Sequence, residues 1–224
     1  MDAVLFDLDD TLVTYERGPG EVLDAAFADV GVDPLFSVDA YFERYAEFVE
    51  ESDGIDDLRS RCFAAIAADE GHDPDLGRAV ADAFAAERDH SRVRLCPGAD
   101  EALDALAADH RLGLVTNGDA GMQAQKLVGA GLEDRFETVV YAGDETAAKP
   151  EREPFERALA DLGVGADRAV HVGNSASSDV AGAHAAGLAS VWVPDSADAT
   201  PPEQAATWTL DSLHGLVDPA PPWR

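Results

Sequence analysis

Near its start the chain carries a run of four apolar residues, Ala3-Val4-Leu5-Phe6, that stops at Asp7-Leu8-Asp9-Asp10-Thr11. A continuous apolar run this short, bounded by polar residues, suits a strand buried on both faces, as in a parallel sheet. The pattern recurs. Further strands are expected over 112–116, 138–142, 169–173 and 190–194, with a shorter one near 207–210. Between them lie Ala-rich helical patterns over 99–108, 121–130, 153–162 and 179–186. Strands and helices in alternation argue for an α/β fold whose parallel sheet is covered on both faces.

Residues 15–92 break that alternation. They carry four helical patterns, over 21–29, 38–51, 56–70 and 74–89, and no convincing strand. Phe42, Tyr45, Phe48 and Val49 fall at helical spacing and are expected to form a core stripe. Seven basic against twenty acidic residues give the segment a net charge of −13. The expected organisation is an α/β core domain of residues 1–14 and 93–224, with a small all-helical cap domain, 15–92, inserted after the first strand. The Pro-rich end, 218–224, is expected to be irregular.

Charge narrows the function classes. Over 224 residues, 16 Lys+Arg face 45 Asp+Glu, a net charge of −29. The 46% hydrophobic content excludes a disordered acidic tail. The acidity argues against nucleic acid, whose backbone needs a basic footprint, and against anionic membrane surfaces. Lys126 and Lys149 are the only lysines. An acidic excess with almost no lysine resembles the proteins of salt-loving organisms. Two cysteines, Cys62 and Cys96, are too few for a disulfide framework and read as small buried hydrophobes. With no basic leader and no long apolar run, neither a signal peptide nor a membrane span is expected, and the expected location is the cytoplasm.

In a parallel α/β sheet, ligands bind beyond the carboxyl ends of the strands. The ends of the apolar runs are where the chemistry-bearing residues lie. The first run ends in Asp7 and Asp9, and a later one in Thr116-Asn117-Gly118. Lys149-Pro150 precedes a helical pattern, and the run over 169–173 leads into Gly173-Asn174-Ser175-Ala176-Ser177-Ser178-Asp179. Four segments in this order resemble the four motifs of the haloacid dehalogenase superfamily, in its phosphatase branch with a helical cap after strand one. Asp7-Leu8-Asp9-Asp10-Thr11 matches the DxDxT motif, Val115-Thr116-Asn117-Gly118 the second, Lys149-Pro150 with Pro154-Phe155 the third, and 173–179 the fourth.

That resemblance implies a Rossmann-like three-layer core and a Mg²⁺-dependent phosphomonoesterase acting on a small phosphorylated metabolite. It makes Asp7 the nucleophile that forms an aspartyl-phosphate, one hard displacement becoming two easier ones. Asp9, two residues on and on the same side of an extended chain, is the implied acid and base. Thr116, Asn117 and Lys149 would bind the phosphoryl group, with Lys149 stabilising developing charge. Mg²⁺ would be held by Asp7, the backbone carbonyl of Asp9, and Asp179. Phosphatases of this family often place an acidic residue where this chain has Asn174, which is expected to stand outside the direct ligands or hold a metal-bound water. His171, inside a strand pattern, reads as structural. A metal-free 2-haloacid dehalogenase would resemble DxYxT at the first motif, against which Asp9 argues. A phosphomutase of the β-phosphoglucomutase type shares these motifs, and a non-catalytic binding member would need them degenerate.

Overall fold

The computed structural model describes residues 1–49, 51–196, 198–217 and 220–224. These fall into two compact units: Met1–Tyr15 with His90–Arg224, and Glu16–Asp89.

The larger unit is built on a six-stranded sheet. In chain order its strands are β1 (Ala3–Phe6), β4 (Arg111–Asn117), β5 (Thr138–Ala142), β6 (Ala169–Gly173), β7 (Ala189–Trp192) and β8 (Trp208–Thr209). Two further strands, β2 (Val13–Tyr15) and β3 (Val93–Leu95), form a separate antiparallel ribbon. The sheet order is β5-β4-β1-β6-β7-β8, and every pairing is parallel. After β1 the chain builds outward on one side, through β4 and β5, then crosses to the other. The strand order therefore reverses at β1, where an open α/β sheet forms its ligand crevice.

Alternation along the strands sends successive side chains to opposite faces. Val4 and Phe6 join Leu112, Leu114, Val170 and Val172 on one face, packed beneath α5 (Ala99–Ala107) and α6 (Ala120–Ala130). Ala3 and Leu5 join Val115, Val140 and Phe155 on the other, covered by α7 (Glu153–Leu162) and α8 (Ala181–Ala185). The sheet is thus the middle of three layers, as its uninterrupted apolar runs require. Asp7 continues β1, its N–H bonded to the Val172 carbonyl at 2.9 Å. It has the parity of Ala3 and Leu5, which turns it toward the α7–α8 face.

The helix expected over 179–186 is divided. A five-residue π-turn, Ala176–Val180, leads into α8. Gly173 explains why the loop can come so close. A Cβ there would lie 2.3–2.6 Å from atoms of the Asp179 side chain, so only glycine lets this side chain tuck under the end of β6. The ribbon of β2 and β3 was not expected, because two three-residue strands carry too few residues to display a period of two.

The smaller unit is four helices: α1 (Pro19–Val30), α2 (Val38–Phe48), α3 (Ile55–Asp69) and α4 (Pro74–Glu87). Ser37 caps α2 by accepting from Ala40 N, and Asp73 followed by Pro74 starts α4. Its core is aromatic. Phe27, Phe36, Tyr41, Phe63 and Phe84 meet edge to face, with ring centroids 5.0 Å apart for Phe36–Phe63 and Tyr41–Phe63. The stripe expected on α2 is partly corrected. Phe42 and Val49 are exposed, at 54% and 50%, whereas Tyr41 is buried and Tyr45 and Phe48 pack beside it. The inward face runs through 41, 45 and 48, spaced by four and three, and one residue further on lies about 100° around the helix.

No helix among the described residues is long and apolar enough to cross a membrane. Both cysteines are free; Cys62 is buried and Cys96 partly so, and burial pushes each thiol up to about 11.

Candidate active site

Ten polar or charged residues are buried among those described, and all but Arg59 and Ser190 lie around the carboxyl ends of β1, β4 and β6. Burying polar groups costs free energy unless each finds partners. The hydrogen bonds show how this cluster is satisfied.

Lys149 is its centre. The ammonium donates to Asp7 Oδ1 at 2.7 Å, to Asp179 Oδ1 at 2.7 Å and to the Val115 carbonyl at 2.8 Å, which uses all three of its protons. Asn117 fixes the lysine from behind. Its Oδ1 accepts from Lys149 N at 2.8 Å, and its Nδ2 donates to the Lys149 carbonyl at 3.1 Å. The Asn117 side chain, expected to bind phosphate, is therefore committed to the Lys149 main chain, and it acts on the site by placing the lysine.

Asp179 is equally committed. Oδ1 accepts from Lys149 and from His171 Nε2 (2.9 Å), and Oδ2 accepts from Ser175 N (2.9 Å). Burial by itself would raise its pKa, but the Lys149 charge and the His171 hydrogen bond more than offset this and hold the carboxyl well below the usual range. His171 is buried against the edge of Phe155. Burial lowers its pKa, and the contact of its Nε2 with Asp179 Oδ1 helps orient that carboxylate.

Asp7 shares the ammonium but stays less compensated. Burial, only partly offset by Lys149, pushes its pKa up to about 7, and the Asp179 charge adds to the rise. Two carboxylates on one ammonium leave the pocket short of positive charge. Asp7 Oδ2 accepts from the Thr11 hydroxyl at 3.2 Å, and the same hydroxyl lies 3.4 Å from Asn174 Oδ1. Asp7 and Asn174 thus converge on one point.

Asp9 stands apart. The chain is extended only as far as Leu8, whose carbonyl then accepts from the N–H groups of Thr11, Leu12 and Val13 in a tight turn. Asp10 takes a left-handed conformation there (φ 55°), which aspartate tolerates. The expectation that Asp9 points with Asp7 along an extended strand is corrected by that turn. Asp9 instead faces α6. Lys126 Nζ donates to both its carboxylate oxygens, at 2.7 and 2.8 Å, and Gln123 Nε2 lies 2.9 Å from Oδ2. Gln123 also reaches Thr116 Oγ1 at 2.6 Å. With that contact accepted by the oxygen, the Thr116 hydroxyl proton stays free to donate onward.

The site thus unites Asp7, Thr116, Lys149 and Asp179, holds Asn174 beside Asp7, and brings Asp9 in from α6. Gln123 and Lys126 had no role in the sequence analysis, Thr11 stood there only as part of the first motif, and His171 was read as structural. The scarcity of lysine is the one signal that marked Lys126.

The chemistry of the donor set fits Mg²⁺. Asp7 Oδ2 and Asn174 Oδ1 are hard oxygens that converge beside a pocket short of positive charge. Among the described residues no group of three or more His, Cys, Asp and Glu side chains is arranged to hold a metal by itself. Such a cation would therefore rely on main-chain, amide and substrate oxygens as well, in keeping with the way Mg²⁺ is usually bound.

The profile of the haloacid dehalogenase-like hydrolases matches residues 1–187. The chain is 32% identical to phosphoserine phosphatase of Thermus thermophilus, over 90% of this chain and 94% of that one. It is 31% identical to ribulose-1,5-bisphosphate 5-phosphatase of Halopiger xanaduensis, over 96% and 98% of the two chains. The crystal structure of 2-haloacid dehalogenase from Pseudomonas syringae superposes with a TM-score of 0.65 at 29% identity, covering 97% of each chain. Carrying the four motifs at the strand ends of one parallel sheet, this chain belongs to the haloacid dehalogenase-like hydrolase family.

Proposed function

We propose that the protein is a Mg²⁺-dependent phosphomonoesterase that hydrolyses a small phosphorylated metabolite through a phosphoryl group carried on Asp7. The observation that carries this reading is the paired arrangement of carboxylates. Asp7 has one oxygen fixed by Lys149 and the other facing Asn174, while a second carboxylate, Asp9, is partly exposed at the rim. Transfer of a phosphoryl group needs a nucleophile and a separate group that moves protons, and these two carboxylates divide those tasks.

In the first step the Asp7 carboxylate attacks phosphorus. Asp9 delivers a proton to the departing alcohol oxygen. In the second step Asp9 takes a proton from water as the water attacks the phosphorylated Asp7, which regenerates the carboxylate and releases inorganic phosphate. Throughout, Lys149 holds Asp7 Oδ1 and supplies fixed positive charge against the charge that develops, while the Thr116 hydroxyl donates to a phosphoryl oxygen. Asp7, the Asp9 main-chain carbonyl and Asp179 would hold the metal, with Asn174 Oδ1 beside Asp7 to meet it directly or through a bound water. Bound there, Mg²⁺ would neutralise the meeting of an anionic nucleophile with an anionic ester.

The likeness to a 2-haloacid dehalogenase supports a second reading, in which Asp7 displaces halide from carbon. An acid at position 9 has no part in that metal-free chemistry, which favours the phosphatase. A panel of phosphate esters with Mg²⁺ tests the choice. Release of phosphate that is abolished by EDTA and by Asp7→Asn supports the proposal. Chloride release from 2-chloropropionate that survives EDTA overturns it.

A further inference from the structure

The chain's two lysines are assigned one to each reactive carboxylate: Lys149 to Asp7, Lys126 to Asp9. We propose that Lys126 and Gln123 are positioning residues that clamp the Asp9 carboxylate in the orientation it needs to protonate the leaving group. This rests on the reading of the protein as a phosphomonoesterase.

The clamp is built from one face of one helix. Asp119 starts α6 by accepting from Met122 N, and Gln123 and Lys126, three residues apart, lie on the same side of it. Both are buried, at 2% and 6% exposure, on a helix whose next residue, Leu127, belongs to the sheet's apolar core. The Lys126 ammonium also lies over the Tyr15 ring, 5.0 Å from its centre. Asp9 is different: its side chain keeps 39% exposure, so a carboxylate at the mouth is gripped by two groups anchored inside.

The grip is geometrically complete. Lys126 meets both oxygens within 0.1 Å of the same distance, and Gln123 bonds Oδ2, which prevents rotation about the carboxylate axis. The same Gln123 Nε2 lies 2.6 Å from Thr116 Oγ1 and 2.9 Å from the Asn117 carbonyl, so its two protons are shared among three acceptors. The residue proposed to move protons is thereby registered against the residue proposed to bind the phosphoryl group. A buried ion pair by itself adds little stability, because desolvation offsets attraction. Two buried polar groups directed at one rim carboxylate are better explained by orientation than by stability.

Leaving-group dependence separates this role from a structural one. An alkoxide must be protonated as it leaves, whereas p-nitrophenolate departs unaided. The measurement is kcat/KM, which reports steps up to the first irreversible one, for phosphoglycolate and for p-nitrophenyl phosphate. Misplacing a catalytic group by about 1 Å costs up to about 100-fold. Lys126→Met is expected to lose about 10- to 100-fold on phosphoglycolate and less than about threefold on p-nitrophenyl phosphate. In an Asp9→Asn background the same substitution is expected to have almost no effect on either ester, since it acts through Asp9. Should Lys126→Met not accumulate as folded protein, Gln123→Leu provides the same comparison with the lysine retained. Equal losses on the two esters, or full additivity with Asp9→Asn, overturn the inference and leave the phosphatase reading intact. Failure of the wild type to release phosphate from any member of a broad phosphate-ester panel with Mg²⁺ overturns both.

Discussion

Replacing Lys149 by methionine removes the only ammonium that faces Asp7 and Asp179 while keeping the length and volume of the side chain. Both the lysine and Asp179 are almost fully buried, at 1% and 2% side-chain exposure, so solvent cannot take over the compensation. Breaking such a pair by deleting one partner costs about 3–5 kcal/mol, because a charge is left buried without its counterion. For a chain of this size each kcal/mol moves Tm by about 2–4 °C, which makes the expected fall about 6–20 °C at neutral pH. Loss of fixed charge beside the nucleophile should lower kcat by about 10²–10³. Differential scanning calorimetry and phosphate release measure the two effects separately. The double variant Lys149→Met with Asp179→Asn, which removes one of the stranded charges, is expected to recover part of the lost Tm and none of the activity. A single variant that melts with the wild type, or a double variant no more stable than the single, would refute the claim that this lysine compensates two buried carboxylates.

Three further outcomes follow from other parts of the molecule. Asn174→Asp places a full negative charge beside the oxygen of Asp7 that faces the proposed cation; half-maximal activity should then need about tenfold less Mg²⁺, and calorimetric titration should show the same shift. In the helical unit, Tyr41→Ala should cost about 3–5 kcal/mol and Phe42→Ser less than about 0.5 kcal/mol, measured by urea unfolding, because only the first side chain is buried. Raising KCl from low to molar concentration shortens the Debye length from about 10 Å at 0.1 M to about 3 Å at 1 M. With a net charge of −29 the protein repels an anionic ester at low salt, so the apparent KM should fall as KCl rises, and monotonic inhibition would contradict this.

The sequence carried the architecture because each buried strand is a run of apolar residues that ends at a polar one. The strand over 169–173 and the helix over 153–162 coincide with β6 and α7. Asp7 and Thr116 lie where apolar runs end, whereas Lys149 and Asp179 stand further along and were named through the resemblance to the family's third and fourth motifs. The partners of Asp9 were not legible. Lys126 is 117 residues away along the chain, and its contact depends on a turn at Leu8 that swings Asp9 off the strand line. Nor could the sequence show that Asn117 would spend its side chain on the Lys149 backbone, since both groups of that amide are equally able to meet a phosphate. On α2, four apolar residues at helical spacing concealed which face turns inward; Tyr41, one residue ahead of Phe42, decides it by joining the aromatic cluster.

The central claim is that Asp7 itself carries the phosphoryl group. Mixing the protein with Mg²⁺ and p-nitrophenyl phosphate, quenching in acid within the first turnover and mapping peptides by mass spectrometry tests it directly. The account predicts one phosphoryl group on the peptide that contains Asp7, absent from Asp7→Asn. Turnover with no label on that peptide, or full turnover by Asp7→Asn, would contradict it.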